Sequence, residues 1–174
     1  PKLAPKTLKS WYKKETNSSS NRIVYLFCDE FTNFYDTEIG KDTITVLKRL
    51  GYKPTLINHY ESGRSFISKG FLKEAKDLAN KNIAIFKDLI TKDTPLVGIE
   101  PSAILTFRDE YVRLGDDVDS AKSIAKKLVD KFYSEITGME LSFVSKLILS
   151  LLNSISYKNV TFFSNRFGSL SCKF

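Results

Sequence analysis

Apolar residues recur along this chain in two rhythms. Ile23-Val24-Tyr25-Leu26-Phe27 is a near-continuous apolar run, the pattern of a strand covered on both faces in a parallel sheet. Tyr52 to Ile57, with Pro54 inside it, predicts a shorter second strand. Leu96-Val97-Gly98-Ile99 predicts a third and Tyr157 to Phe163 a fourth. Between them the period lengthens to that of a helix. One is predicted from about Thr37 to Leu50, presenting Ile39, Thr43, Val46, Leu47 and Leu50, with Gly51 ending it. The longest runs from about Phe71 to Ile90, with Leu72, Ala75, Leu78, Ala79, Ile83, Phe86, Leu89 and Ile90 on its stripe. A helix opened by Pro101 keeps an apolar face through Ile104, Leu105 and Phe107. Another, about Ser120 to Ile136, turns Ala121, Ile124, Ala125, Leu128, Phe132 and Ile136 inward, and a last one covers about Glu140 to Leu152. Strands alternating with helices predict an α/β fold: a layered, mostly parallel sheet of about four strands flanked by helices, with a right-handed crossover in its first βαβ unit.

The polar stretches fall where those strands end. Cys28-Asp29-Glu30-Phe31-Thr32-Asn33 follows the first strand and opens a polar loop to Asp36. His59-Tyr60-Glu61-Ser62-Gly63-Arg64 follows the second, with a short helical turn expected between Gly63 and Gly70. Glu100 and Ser102 flank Pro101 after the third. Ligands of open parallel sheets bind outside the carboxyl ends of the strands. The three junctions are therefore expected to meet at one edge. Ahead of the first strand, Thr7 to Glu15 predicts a short helix capped by Thr7, with Trp11 docking it on the domain surface. Asn17 to Asn21 has the composition of a linker. The predicted division is an N-terminal arm and linker at 1–21 and an α/β domain at 22–174.

Composition narrows the function classes. At 174 residues, 42% of them hydrophobic and 13% aromatic, the chain is long enough for one domain with a real core. It opens Pro1-Lys2-Leu3 without Met and is expected to be a piece of something longer. No apolar run approaches the roughly 20 residues of a membrane span, and no signal peptide is visible. Cys28 and Cys172 do not make a disulfide framework, which suits a reducing cytoplasm. The net charge of +7 comes from lysines interleaved with Asp and Glu. That is a solvated basic surface, not a nucleic-acid interface.

No Walker loop, GxGxxG, HExxH or CxxC motif is present. His59, the lone histidine, would have to serve any Ser-His-Asp triad, and a hydrogen-bonded structural role is the plainer reading. Cys28 reads as a small buried thiol. If Glu30, Glu61 and Glu100 converge, their repulsion needs cations, and Arg64, Lys69 and Arg108 are available. Such a cluster is either a ligand pocket, completed by Thr32 and Asn33, or a salt-bridge network pinning loops to helix starts.

Three stretches in order, Leu26 to Phe34 with Glu38-Ile39-Gly40, then Glu61 to Gly70, then Gly98 to Tyr111, carry a resemblance. The chain resembles the cysteine-rich CCG domain of iron–sulfur oxidoreductases, found in heterodisulfide reductase and anaerobic glycerol-3-phosphate dehydrogenase subunits. It is most similar to the C-terminal part of FAD-linked oxidases acting on 2-hydroxy acids such as D-lactate or D-2-hydroxyglutarate. The resemblance covers about half the chain and fades beyond Leu114. It implies cluster-binding cysteines at these junctions. Here Glu30 stands for the first, Glu61-Ser62 for the Cys-Cys pair before Gly63-Arg64, and Ala103 for the Cys after Glu100-Pro101-Ser102. Cys28 is displaced by two positions. The tail Ser164 to Leu170 distantly resembles the family's HCHQKSL stretch, without its histidines and cysteine. A conventional cluster needs several thiolates, usually four, so no iron–sulfur cluster is expected.

The resemblance thus implies a cluster-less C-terminal accessory domain, with no catalysis expected from the fragment alone. Its partner would be a flavin-binding domain of the same full-length chain, and any membrane association would come only through that chain. The alternative is a small-molecule, anion or divalent-metal binding module built from Glu30, Thr32, Asn33, Glu61, Ser62, Gly63, Arg64, Lys69, Glu100, Ser102 and Arg108. A hydrolase using His59 or Cys28 is the remote third.

Overall fold

A computed structural model describes residues 2–15 and 20–138. The predicted linker at 17–21 falls largely outside them. So do the predicted helix at 140–152, the predicted strand at 157–163, the tail and Cys172. In chain order come α1 (Leu8–Tyr12), β1 (Ile23–Phe27), α2 (Glu30–Phe34), α3 (Thr37–Arg49) and β2 (Lys53–Thr55). Then follow α4 (Arg64–Ser68), α5 (Leu72–Phe86), β3 (Leu96–Gly98), α6 (Pro101–Asp109), α7 (Tyr111–Leu114) and α8 (Val118–Gly138).

The fold is α/β. Among the described residues the sheet has three parallel strands, not four, in the order β2-β1-β3. Tyr25 registers with Thr55 on one side and with Leu96 on the other, and Phe27 with Gly98. β1 is central, so its apolar run is explained by burial on both faces. On one face Phe27 joins Ala79, Ile83 and Phe86 of α5, Ala103 and Phe107 of α6, Tyr111, and Ala121, Ile124 and Leu128 of α8. On the other face Leu26 and Cys28 meet Ile44 of α3 and Leu8 of α1. Trp11 packs against this second cluster, half-buried, as its docking role requires.

The close approach of β3 to α6 needs Gly98, where an added Cβ would lie 2.5 Å from Ile104 Cβ. That contact sets α6 directly behind its strand. Asp117 starts α8 by accepting the Ser120 N–H at 3.0 Å on its carboxylate.

Five expectations are corrected. The stretch 29–36 is not a loop throughout; its middle is α2, because the Asp29 carboxylate caps it at the Phe31 and Thr32 N–H groups. The second strand is limited to Lys53–Thr55. The long helix ends at Phe86, although Ile90 beyond it is buried. On α3 the buried face runs through Thr37, Gly40, Ile44 and Val46, and Ile39 is exposed. Gly40 explains the shift: Leu8 fills the space a side chain there would take, so α1 presses on that line of the helix. Leu72, expected inward on α5, is exposed as well.

Candidate functional site

Parallel strands end together, so residues that follow β1, β2 and β3 share one edge of the sheet. The segment after β2 returns across the end of β1. Leu56 packs on one hydrophobic cluster and Ile57 on the other, and His59 lands beside the last residues of the central strand. Its ring stacks on Phe27 at 4.3 Å between centroids. Nε2 accepts the Cys28 backbone N–H at 3.1 Å. Nδ1 lies 2.7 Å from the Tyr60 carbonyl oxygen, to which it donates. The two contacts together fix a neutral ring protonated on Nδ1. Burial holds its pKa down, at about 4. His59 is thus a buried structural acceptor.

One turn further along, that segment meets α2. Glu30 Oε1 accepts the Ser62 hydroxyl at 2.8 Å, and Oε2 accepts the Ser62 N–H at 3.2 Å. Ser62 is fully buried. Its hydroxyl oxygen in turn accepts the Arg64 N–H at 3.1 Å, and its carbonyl accepts the Tyr111 hydroxyl at 2.9 Å. Gly63 then turns the chain with φ of +75°, a left-handed conformation that favours glycine, and α4 begins. The Asn82 side chain holds this loop from the buried side. Its amide donates to the Glu61 carbonyl and to the Tyr111 hydroxyl, each at 2.9 Å, and its oxygen accepts the Tyr60 N–H at 3.0 Å. Every polar atom of Asn82 is used where water is excluded, so the loop is locked. Burial raises the Tyr111 hydroxyl pKa, with hydrogen bonding from Asn82 opposing that shift.

The other face of α2 is equally committed. Thr32 gives its hydroxyl to Asp29 Oδ2 at 2.7 Å. Asn33 Oδ1 accepts the Lys9 N–H at 3.1 Å and the Cys28 thiol at 3.7 Å. Burial pushes the Cys28 thiol up to about 12. Burial alone keeps it in the thiol form at neutral pH, not the thiolate that attacks electrophiles. Burial also raises the Asp29 carboxyl above its ordinary value, against the hydrogen bonds from Thr32.

At the third junction Glu100 caps its own helix. One oxygen takes both the Ala103 N–H and the Ser102 hydroxyl at 2.6 Å. Arg64 pairs with Glu110 at 2.5 Å. Arg108 pairs with its neighbour Asp109 at 2.8 Å in solvent. Glu61 is exposed, and Lys69 is the exposed C-terminal cap of α4. The residues named from sequence thus divide into groups. Glu30, Ser62, Gly63 and Arg64 make a continuous hydrogen-bonded junction, with Thr32 and Asn33 behind it. Glu100 and Ser102 engage each other at their own helix start. The Glu61 side chain, Lys69 and Arg108 lie at the solvent surface. Asn82, Tyr111 and Glu110 were not singled out from sequence. Asn82 had a readable signal: it is a polar residue between Ala79, Ile83 and Phe86 on an apolar stripe.

The donor set can be tested against the iron–sulfur group that the resemblance implies. Glu30 and Ser62 hold each other, Ala103 is buried and offers no ligand atom, and Cys28 is the one thiol among the described residues. No group of three or more His, Cys, Asp or Glu able to hold a metal occurs among the described residues. These side chains do not fit a cluster.

Over 91 residues the chain is 32% identical to the D-2-hydroxyglutarate dehydrogenase of Haemophilus influenzae, a match covering 52% of this chain and 9% of that one. It is 31% identical over 97 residues to the D-2-hydroxyglutarate dehydrogenase of Escherichia coli K12, covering 55% and 10%. It is 26% identical over 115 residues to a subunit of the anaerobic glycerol-3-phosphate dehydrogenase of the same organism, covering 64% and 29%. The chain therefore spans about a tenth of the length of the D-2-hydroxyglutarate dehydrogenases it matches. No family model and no solved structure matches it. No helix among the described residues is long and apolar enough to cross a membrane.

Proposed function

We propose that this chain is a C-terminal accessory domain of a FAD-linked 2-hydroxy-acid oxidoreductase, of the CCG type, whose cluster-binding positions have been replaced by a hydrogen-bonded junction. The observation that carries this reading is the pair of partial matches. Two differently named dehydrogenases share this region, one across about a tenth of its length and the other across 29%. A segment common to such different proteins supports a module attached to separate catalytic machinery. The Glu30–Ser62 pair supports loss of the cluster, because each side chain satisfies the other where two ligands would have to face a metal. A flavin on the attached domain would take the electrons of the hydroxy acid. This region would contribute assembly, docking or closure, and residues 1–21 would serve as the arm joining it to the rest.

Two measurements test the reading. Anaerobic purification of the chain should give a colourless protein with blank iron and sulfide assays; stoichiometric iron would overturn the loss of the cluster. The complete polypeptide encoded by its reading frame should carry flavin and oxidise a 2-hydroxy acid. A polypeptide without a flavin domain would remove the assignment altogether.

A further inference from the structure

Helix α2 is inside out. Its polar residues Thr32 and Asn33 are buried against the domain, while the aromatic residues point to solvent. Phe31, Phe34 and Tyr35 stand three and four positions apart, on one helical face, at 38%, 41% and 40% exposure. Ile39, in the first turn of α3, is exposed at 51%. Further burial of these side chains would be favourable by the ordinary area rule, yet the described residues leave this part of them uncovered. The hydrogen bonds described above fix the orientation. Turning α2 over to hide its rings would strip Asn33 from Lys9 and Glu30 from Ser62. The fold thus presents an aromatic face. Beside it Glu38 and Lys41 pair at 2.6 Å on α3.

We propose that this face docks on an apolar surface of the flavin-binding domain of the same polypeptide; the proposal rests on the reading of the chain as part of a longer oxidoreductase. Two observations favour that occupant. The Ala4 N–H donates to the Phe34 carbonyl at 2.8 Å. The N-terminal arm is thereby tied to the aromatic face, so polypeptide joined to the arm starts beside it. Contact within one chain then proceeds at high effective concentration. The dehydrogenases matched by this chain also extend far beyond the shared region, which is 9% of one and 10% of the other. Docking through α2 has a structural consequence. Glu30, at the start of the same helix, would sit immediately behind the interface, so the junction it makes with Ser62 would set the position of the aromatic face.

The test uses the complete polypeptide and hydroxyl-radical footprinting read by mass spectrometry. Normalised to intrinsic ring reactivity, Phe34 and Tyr35 should react about tenfold more slowly than Phe71, an exposed ring outside this face, as expected for a desolvated interface core. The double variant Phe34→Asp/Tyr35→Asp should raise the labelling of the flavin-domain surface that it uncovers several-fold. A flavoprotein in which Phe34 and Tyr35 react as fast as Phe71 overturns the docking and leaves the reading of function standing. Protection that disappears as a dimer dissociates on dilution assigns the face to a second copy and also overturns it. A complete polypeptide without flavin overturns the reading of function and the identity of the occupant together.

Discussion

Helices α5 and α2 both hold the loop Tyr60 to Ser62 and obey opposite rules. The 15-residue α5 turns Ala75, Ala79, Ile83 and Phe86 inward and its lysines outward. The five-residue α2 buries Thr32 and Asn33 and exposes its rings. The difference lies in what holds each one. A long helix gains enough apolar contact along its stripe for burial to choose its face. A single turn has few such contacts to gain, so its cap and side-chain hydrogen bonds decide. Asn33 bound to Lys9 and Glu30 bound to Ser62 outweigh three aromatic rings.

The comparison breaks most sharply at a ring on each helix. Phe86 is buried among Phe27, Phe107 and His59. Phe86→Ala should lower the unfolding free energy by about 3–5 kcal/mol, the usual cost of removing a core phenylalanine. Phe34→Ala on α2 should change it by about 0.5 kcal/mol or less in the isolated chain. Urea denaturation of both variants checks this. Equal losses would mean that α2 is held by its rings after all, and the inside-out description would be wrong.

That contrast also explains what could be read in advance. β1, β3, α6, the stripe of α5 and that of α8 through Leu128 are long or strongly apolar, and periodicity placed them within a few residues; Phe132 and Ile136 lie outside the described side chains. α4 was foreseen from Gly63 and Gly70, which bracket it. α2 was missed because a polar, one-turn helix has no apolar period, although Asp29 followed by Phe31 and Thr32 N–H groups is an ordinary cap. The inward face of α3 was misplaced because Leu8, far away in sequence, claims the space above Gly40. The meeting of Glu30 with Ser62 accords with parallel topology, since both lie in the segments that follow β1 and β2 on one edge of the sheet. Arg64 was among the cations expected there, but its pairing with Glu110 depends on how α6 and α7 sit, which no local pattern encodes. The Asn82 network needed the third dimension for the same reason.

Acid sharpens the comparison next, because His59 links the two helices. Its ring lies on Phe27 and beside Phe86, and it accepts the N–H of Cys28, immediately before the Asp29 cap of α2. Its folded pKa of about 4 lies below the ordinary 6.5. The unfolded chain therefore takes up the proton first. This contribution is fully present above pH about 6.5, falls away as pH drops towards about 4, and is level below that. The span is worth up to about 3 kcal/mol at roughly 1.4 kcal/mol per unit. Asp29 runs the other way: its raised folded pKa means that the folded state gains a proton first, which favours folding as the pH falls. Denaturation midpoints between these pH values should decline with acid, and His59→Gln should flatten that decline. Hydrogen exchange should accelerate at the Cys28 to Asn33 amides before it does along α5. A decline unchanged by His59→Gln would show that other groups carry it.

The smallest effect is the most specific to α2. If its orientation is set by hydrogen bonds, Glu30 and Ser62 should be energetically coupled. Ser62→Ala removes the hydroxyl donor to Oε1 and keeps the backbone donor to Oε2. Glu30→Gln keeps the shape and discharges the acceptor. Each single change should cost about 1–2 kcal/mol, where the ranges for neutral hydrogen bonds and for those to charged groups meet. The double variant should cost less than their sum by about 1 kcal/mol, because a bond can be lost only once. Neither change touches the core on α5, so exchange protection there should stay within the shift expected from the global loss. Strict additivity would mean that the two side chains are neighbours without a working bond. α2 would then hang on the Asp29 cap and on Asn33, and the replacement of cluster ligands by this pair would have no energetic basis.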